Sequence, residues 1–245
     1  MDGRGAMEGR WAGVLDGVWL GRVDYSRGVD IQKWFHERVV NRQCPSTILF
    51  LEHPPVYTLG KRGGDGFFLK PVAELRSMGA EVCQTDRGGL VTFHGPGQLV
   101  GYPILDLSAL RLSFQEYITQ LLASLVAVVG EFGIDAAVDP ERPGVYVGNS
   151  KMAAVGVRLS RWVTSHGFAL NGTTDLDWFK HIVACGLEGI GATSILKELG
   201  KCPTLPALAD KVGSSLSASW NCRWRMRPLT SEEIQFCGAP VPLSS

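Results

Sequence analysis

The sequence predicts an α/β (α+β) domain whose mixed β-sheet is flanked by helices. Two features carry this. Short apolar runs of strand length alternate with helical stretches along the chain. Strand candidates at 144–147 and 152–159 flank Gly148 and Asn149, a hairpin signal. A hairpin pairs its strands antiparallel, so the pattern points away from a doubly wound, purely parallel sheet.

Taken in order, residues 1–17 read as a mobile lead. This stretch has no apolar core for a secretory signal, and Asp2 and Glu8 do not suit a transit peptide. A single domain is expected over 18–228, followed by a tail over 229–245. Residues 29–42 read as a helix, with Asp30 in its first turn and Trp34 and Phe35 available to pack. The apolar run 47–52 suits a buried strand. A Gly-rich loop covers 61–66, and a short helix covers 71–78 between Pro71 and Gly79.

Strands are expected at 81–84 and 90–93, around Asp86-Arg87-Gly88-Gly89, and at 98–105, broken at Pro103. The clearest helix is 113–132. Ser113 and Glu116 form a capping-box pattern, Gly133 can close the C-terminus, and Leu121, Leu122, Leu125, Val128 and Val129 keep the helical period. A third strand of the hairpin region is expected at 162–170, then a helix at 205–220 and a strand at 222–226.

The 245 residues carry 24 basic and 24 acidic side chains, which argues against a mainly electrostatic grip on nucleic acid. The apolar stretch 121–129 is far shorter than the roughly 20 residues of a membrane helix. The six cysteines, Cys44, Cys83, Cys185, Cys202, Cys222 and Cys237, form no CxxC pair and no zinc-finger spacing with His. They suit a reducing compartment, with one reactive thiol and the others filling space.

Three segments have the composition of a reaction site. In Arg87-Gly-Gly-Leu-Val-Thr-Phe-His94-Gly-Pro-Gly-Gln98, glycines surround one Arg and one His. Such a loop lets backbone approach a ligand, or is simply a tight hairpin with a satisfied histidine. It lacks the Lys-Ser/Thr ending of a P-loop. Lys151 opens the apolar run Lys151-Met-Ala-Ala-Val-Gly156-Val-Arg158. Beside a reacting centre it would lower the pKa of a thiol; at a strand edge it would only reach water. Cys185, in His181-Ile-Val-Ala-Cys185-Gly, is either a thiol presented at a turn or an inert buried one. His166 and Asn171, in Ser165-His166-Gly-Phe-Ala-Leu-Asn171, complete a Cys/His/Asn set by content alone.

Together with Leu51-Glu-His53-Pro-Pro-Val-Tyr-Thr-Leu-Gly60 and Gly144-Val-Tyr-Val-Gly148, these segments resemble the lipoyl(octanoyl) transferase family, in order and spacing, from about Val18 to Leu199. The resemblance implies a fold similar to the catalytic domain of biotin and lipoate protein ligases. It implies transfer of an octanoyl or lipoyl group from acyl carrier protein to a lysine of a lipoyl domain. Cys185 matches the family's acyl-thioester nucleophile, and Lys151 matches the lysine that lowers its pKa and moves protons. Substrate contacts fall on Arg87, Gly88, Gly89, Leu90, Val91, Thr92, Phe93 and His94, on Ala154, Val155 and Gly156, and on Gly167, Phe168 and Ala169. Small side chains at Gly156, Gly167 and Ala169 would leave room for an acyl tunnel. One departure is visible: Ala184 stands where the family usually has Pro, which would stiffen the turn presenting the sulfur.

The resemblance further implies acceptors among the lipoyl domains of 2-oxoacid dehydrogenases and the glycine cleavage H protein. Lys61, Arg62, Arg158 and Arg161 are candidates to meet acidic partners. No metal, cofactor, nucleic acid or membrane is expected. The compartment is mitochondrial in a eukaryote and cytoplasmic in a bacterium. The competing readings are an ATP-dependent lipoate-protein ligase, which would not need Cys185, and a non-catalytic module that binds lipoyl domains.

Overall fold

A computed structural model describes residues 13–139, 141–183 and 191–238. In chain order its strands are β1 Val14–Arg22, β2 Ser46–Glu52, β3 Val56–Leu59, β4 Glu81–Gln84, β5 Val91–His94, β6 Gln98–Ile104, β7 Ala137–Val138, β8 Gly144–Val147, β9 Ser150–Ser160, β10 Val163–Asn171, β11 Gly191–Ala192 and β12 Arg223–Met226. The helices are α1 Tyr25–Val40, α2 Val72–Ser77, α3 Leu107–Leu110, α4 Phe114–Gly130, α5 Ile195–Leu199, α6 Leu205–Ser219 and α7 Ser231–Cys237, with 3-10 turns at Asp65–Phe67 and Leu176–His181.

The main sheet runs β12-β1-β2-β6-β10-β9-β8-β7, with β11 beside β9. β1 lies parallel to β2 and β12, β11 lies parallel to β9, and the remaining neighbours are antiparallel. The sheet is therefore mixed, as the hairpin signal implied. Helices cover both faces. Leu121 and Leu125 of α4 and Leu208 and Val212 of α6 pack over Ile48, Phe50 and Leu99. Ile31, Phe35 and Val39 of α1 pack over Leu49, Leu51 and Val100 on the other side. Alternate residues of β2 thus face opposite cores, which is why that strand reads as a continuous apolar run.

A second sheet, β4-β3-β5, carries its own core of Tyr57, Leu59, Leu75 and Phe93, closed by Trp178 and Phe179. The α4 capping box forms as the sequence predicts, Ser113 Oγ accepting from Glu116 N–H and Glu116 accepting from Ser113 N–H. Gly133, at φ 86°, sits in the turn that follows.

Three local readings differ from the structure, and one strand, β3, falls where no element was expected. β6 runs through Pro103 without a break, because its β10 ladder stops at Gly101 and the Pro103 carbonyl instead accepts from Thr164 Oγ1 at 2.6 Å. The missing N–H therefore costs no ladder bond. β1 starts at Val14, inside the stretch read as a lead; buried Asp16 accepts from Arg225 and Arg227, near the other end of the sequence. β3 is a strand only by pairing with β4 and β5. α7 lies in the stretch read as a tail. It is capped by Thr230 and Glu233, and its Phe236 stacks on Trp34 at 5.2 Å.

Candidate active site

β9 and β10 border a mostly apolar cleft of about 930 Å³, closed by the 87–92 loop, the first turns of α4 and the 3-10 turn at Leu176–His181. Arg87, Gly88, Gly89, Leu90, Val91, Thr92 and His94 line one wall. Ala154, Val155 and Gly156 of β9, with Gly167, Phe168 and Ala169 of β10, line the cleft as well. Phe93 does not line the cleft. It is 1% exposed and stacks on Trp178 at 5.2 Å in the smaller core. Strand alternation sends it to the face opposite Thr92 and His94.

The glycines serve packing more than acyl space. A Cβ on Gly167 would stand 2.2 Å from the Gly101 carbonyl oxygen and 2.5 Å from Pro103 Cδ. A Cβ on Gly156 would press on Arg87 Cδ at 3.1 Å. Gly156 therefore admits the arginine stem that crosses the cleft wall.

Arg87 is buried, and its nitrogens point inward. Nε and Nη2 donate to Thr58 Oγ1 at 3.2 and 2.9 Å, Nη2 donates to the carbonyls of Thr58 and Leu90 at 2.6 and 2.9 Å, and Nη1 donates to Gly88 O at 2.9 Å. Burial without an acidic hydrogen-bond partner pulls its pKa down. His94 is held by Gln98 Oε1 at 2.8 Å, and burial, with the nearby rings and Arg87, lowers it to about 3. Behind it, His53 Nδ1 donates to Val23 O at 2.5 Å, and Nε2 accepts from Tyr102 Oη at 2.7 Å. Burial lowers His53 to about 4. The polar end of the cleft is thus built from neutral imidazoles and phenols around one guanidinium.

Lys151 lines the same cleft from β9. Its register partners are Tyr146 on β8 and Ala192 on β11, and its Nζ lies 5.2 Å from the Tyr146 ring centroid. Cys185 and Ala184 lie outside the described residues. The flanks of that segment are held. Val183 N–H donates to Phe67 O at 2.8 Å, and Ile182 bridges Phe68. On the far side, Thr193 N–H donates to Lys151 O at 3.0 Å.

His166 and Asn171 both line the cleft but have separate partners. His166 Nε2 bonds Asp86 Oδ1 at 2.7 Å, and its backbone N–H donates to Gln32 Oε1 at 2.7 Å. The residue takes φ 55°, a left-handed backbone inside β10, and this bond holds its N–H. Asn171 instead accepts from Gln98 and donates to Thr193 O, both at 2.9 Å. Of the basic residues nominated for partners, Arg62 lines the cleft, Arg158 pairs with Asp86, and Arg161 sits at the β9–β10 turn.

The five described cysteines are free thiols, and burial raises the pKa of each, Cys44 to about 12 and Cys237 to about 11.

A family described as the lipoyl protein ligase A/B catalytic domain matches residues 24–217. An octanoyltransferase of Syntrophobacter fumaroxidans is 42% identical over 214 residues, covering 87% of this chain and 94% of that one. The chain belongs to the octanoyltransferase family. The mitochondrial octanoyl-[acyl-carrier-protein]:protein N-octanoyltransferase of Danio rerio is 40% identical over 214 residues, covering 85% of this chain and 93% of that one. The fold is shared more widely. A solved structure of the putative lipoate protein ligase Ta0514 from T. acidophilum with bound lipoic acid superposes with a TM-score of 0.71 at 12% identity, covering 91% and 92% of the two chains.

Within this octanoyltransferase-family chain, the motif stretches at 87–98, 151–158 and 165–171 all reach the cleft. The sequence reading did not assign Thr58, Gln98, Tyr25 and Tyr102 to the site. Gln98 and Thr58 stood inside quoted motifs, so a polar side chain in an apolar strand was the available signal. For Tyr25 and Tyr102 no local signal exists, since only the fold brings them to His94 and His53.

Proposed function

We propose that the chain takes an octanoyl or lipoyl group from an acyl carrier protein onto Cys185 as a thioester. It then passes that group to a lysine of a lipoyl domain, in 2-oxoacid dehydrogenases or the glycine cleavage H protein. The observation that carries the reading is the placing of Lys151. It faces a large apolar cleft, and β11, which follows the segment bearing Cys185, pairs with β9 at its position.

In the first step the Cys185 thiolate attacks the donor thioester carbonyl. The new C–S bond forms, the donor C–S bond breaks, and the departing thiolate takes a proton from the Lys151 ammonium. Exchange of one thioester for another needs no ATP. In the second step the acceptor amine attacks the acyl carbonyl. An amide C–N bond forms, the Cys185 C–S bond breaks, and neutral Lys151 takes the proton the amine loses. The raised thiols elsewhere support Cys185 as the nucleophile, because ionisation is what makes a thiol react. Apolar lining suits an alkyl chain, each buried methylene being worth about 0.8 kcal/mol.

The proposed compartment follows the organism: mitochondrial in a eukaryote, cytoplasmic in a bacterium. Among the described residues, no helix is long and apolar enough to cross a membrane. Intact-protein mass measurement after incubation with octanoyl carrier protein tests the reading. The expected result is one octanoyl increment without ATP, absent in Cys185→Ser. An increment of equal yield on that variant, or one appearing only with ATP, would sink it.

A further inference from the structure

We propose that Gln98 and Asn171 are positioning residues for the transfer. They belong to a one-way chain of hydrogen bonds that runs from Arg87 through Thr58, His94, Gln98 and Asn171 to Thr193, and it fixes β11 beside Lys151. The link to catalysis rests on the Cys185–Lys151 reading above.

The direction of the chain follows from its first member. Arginine can only donate. Two of its nitrogens fill the lone pairs of Thr58 Oγ1, so the Thr58 proton turns to the remaining neighbour, His94 Nε2, at 3.4 Å. That bond requires a bare Nε2 and places the imidazole proton on Nδ1. Nδ1–H then donates to Gln98 Oε1 at 2.8 Å. With its oxygen used, Gln98 turns its amide nitrogen to Asn171 Oδ1 at 2.9 Å and Phe93 O at 3.2 Å. Asn171 in turn donates from Nδ2 to Thr193 O at 2.9 Å. No member can reverse without leaving two donors or two acceptors face to face.

Every member is buried, from Thr58 and Thr193 at 0% to Arg87 and His94 at 7% exposure, so a lost partner leaves a largely desolvated polar group. The chain ends where Lys151 is held: Thr193 N–H donates to Lys151 O at 3.0 Å, and Ala192 is the register partner of Lys151. Arg87, His94, Gln98, Asn171 and Lys151 all line the cleft. The chain therefore couples the Arg87 loop to the strand end that carries Lys151.

Asn171→Asp keeps the shape and removes the donor. Its ionised carboxylate would set two oxygens against each other at Thr193, while its protonated form could donate again. The expected result is a kcat lower by on the order of 10- to 100-fold, with KM for octanoyl carrier protein within about twofold of the parent. The variant-to-parent ratio of kcat should also climb as pH falls. A kcat ratio near one, or a depressed ratio that stays flat with pH, overturns the proposal. If the near-ultraviolet circular dichroism of Asn171→Asp is lost, Thr58→Val and Thr58→Ser decide instead. The hydroxyl-bearing variant should recover what valine loses, and equal activities overturn the proposal. Nitrogen-15 spectra of the parent protein read the chain without activity: His94 should be neutral with its proton on Nδ1, and a proton on Nε2 overturns it. A parent protein that never carries octanoyl on Cys185 refutes the functional reading, while the His94 tautomer still reports on the chain.

Discussion

Asp16 on β1 accepts from Arg227 at 2.6 Å, across 211 positions of sequence, and from Arg225 at 2.9 and 3.0 Å. Asp16 is 1% exposed, and Arg227 also forks onto Glu233 at 2.7 Å. The first strand, the last strand and the last helix are thereby tied at one point. Removing one partner of a buried pair leaves the other uncompensated, at a cost of about 3 kcal/mol. Asp16→Ala should lower the urea midpoint accordingly, with Arg38→Ala, whose ion-pair partner Glu232 is largely exposed, losing far less. Equal losses would show that the Asp16 pair carries no special weight.

Lys151→Ala removes the cation proposed to favour the thiolate of Cys185. The thiol pKa should rise, so the pH profile of Cys185 alkylation should move to higher pH and the rate at neutral pH should fall. An unmoved profile would separate the two residues.

Labelling order offers an independent check. Burial raises the five described thiols, Cys44 most of those with a value, to about 12. Brief iodoacetamide treatment of native protein near neutral pH should modify Cys185 first, read by peptide mass. Faster modification of Cys44 would contradict its burial.

Acid should weaken the fold before the carboxylates titrate. His94 and His53 are lowered from 6.5 to about 3 and about 4 by burial. Above pH 6.5 both are neutral folded or unfolded and oppose nothing. Between 6.5 and those values the unfolded chain binds protons that the folded chain does not, so stability falls as pH falls. Chemical unfolding at pH 7.5 and pH 5 should show the loss. His53→Gln, which can donate to Val23 and accept from Tyr102, should reduce it, and an unchanged slope would rule out His53 as a source.

Gly167→Ala tests whether that glycine serves strand packing. Its Cβ would fall 2.2 Å from a backbone oxygen, so strands must shift, at a cost of about 2 kcal/mol or more. Gly148→Ala meets nothing within 4 Å at φ 54° and should cost only about 1 kcal/mol. Similar losses at both positions would argue against the close approach.

Much of this protein was readable one segment at a time. The α4 capping box, the 148–149 hairpin and the apolar run of β2 report local backbone preference and periodicity, and these act within a few residues. The motif order and Lys151 likewise stood in the sequence. Tertiary structure decided the rest. β1 and β3 pair with strands far along the chain or within a second sheet, so nothing in their own composition announces them. Phe93 left the site because alternation turned it to the other core, and Pro103 stayed in its strand because the neighbouring ladder had ended. The run of hydrogen bonds from Arg87 to Thr193 draws on four strands and two loops. A buried donor needs its acceptor within about 3 Å, and which groups come that close is settled only when the chain has folded.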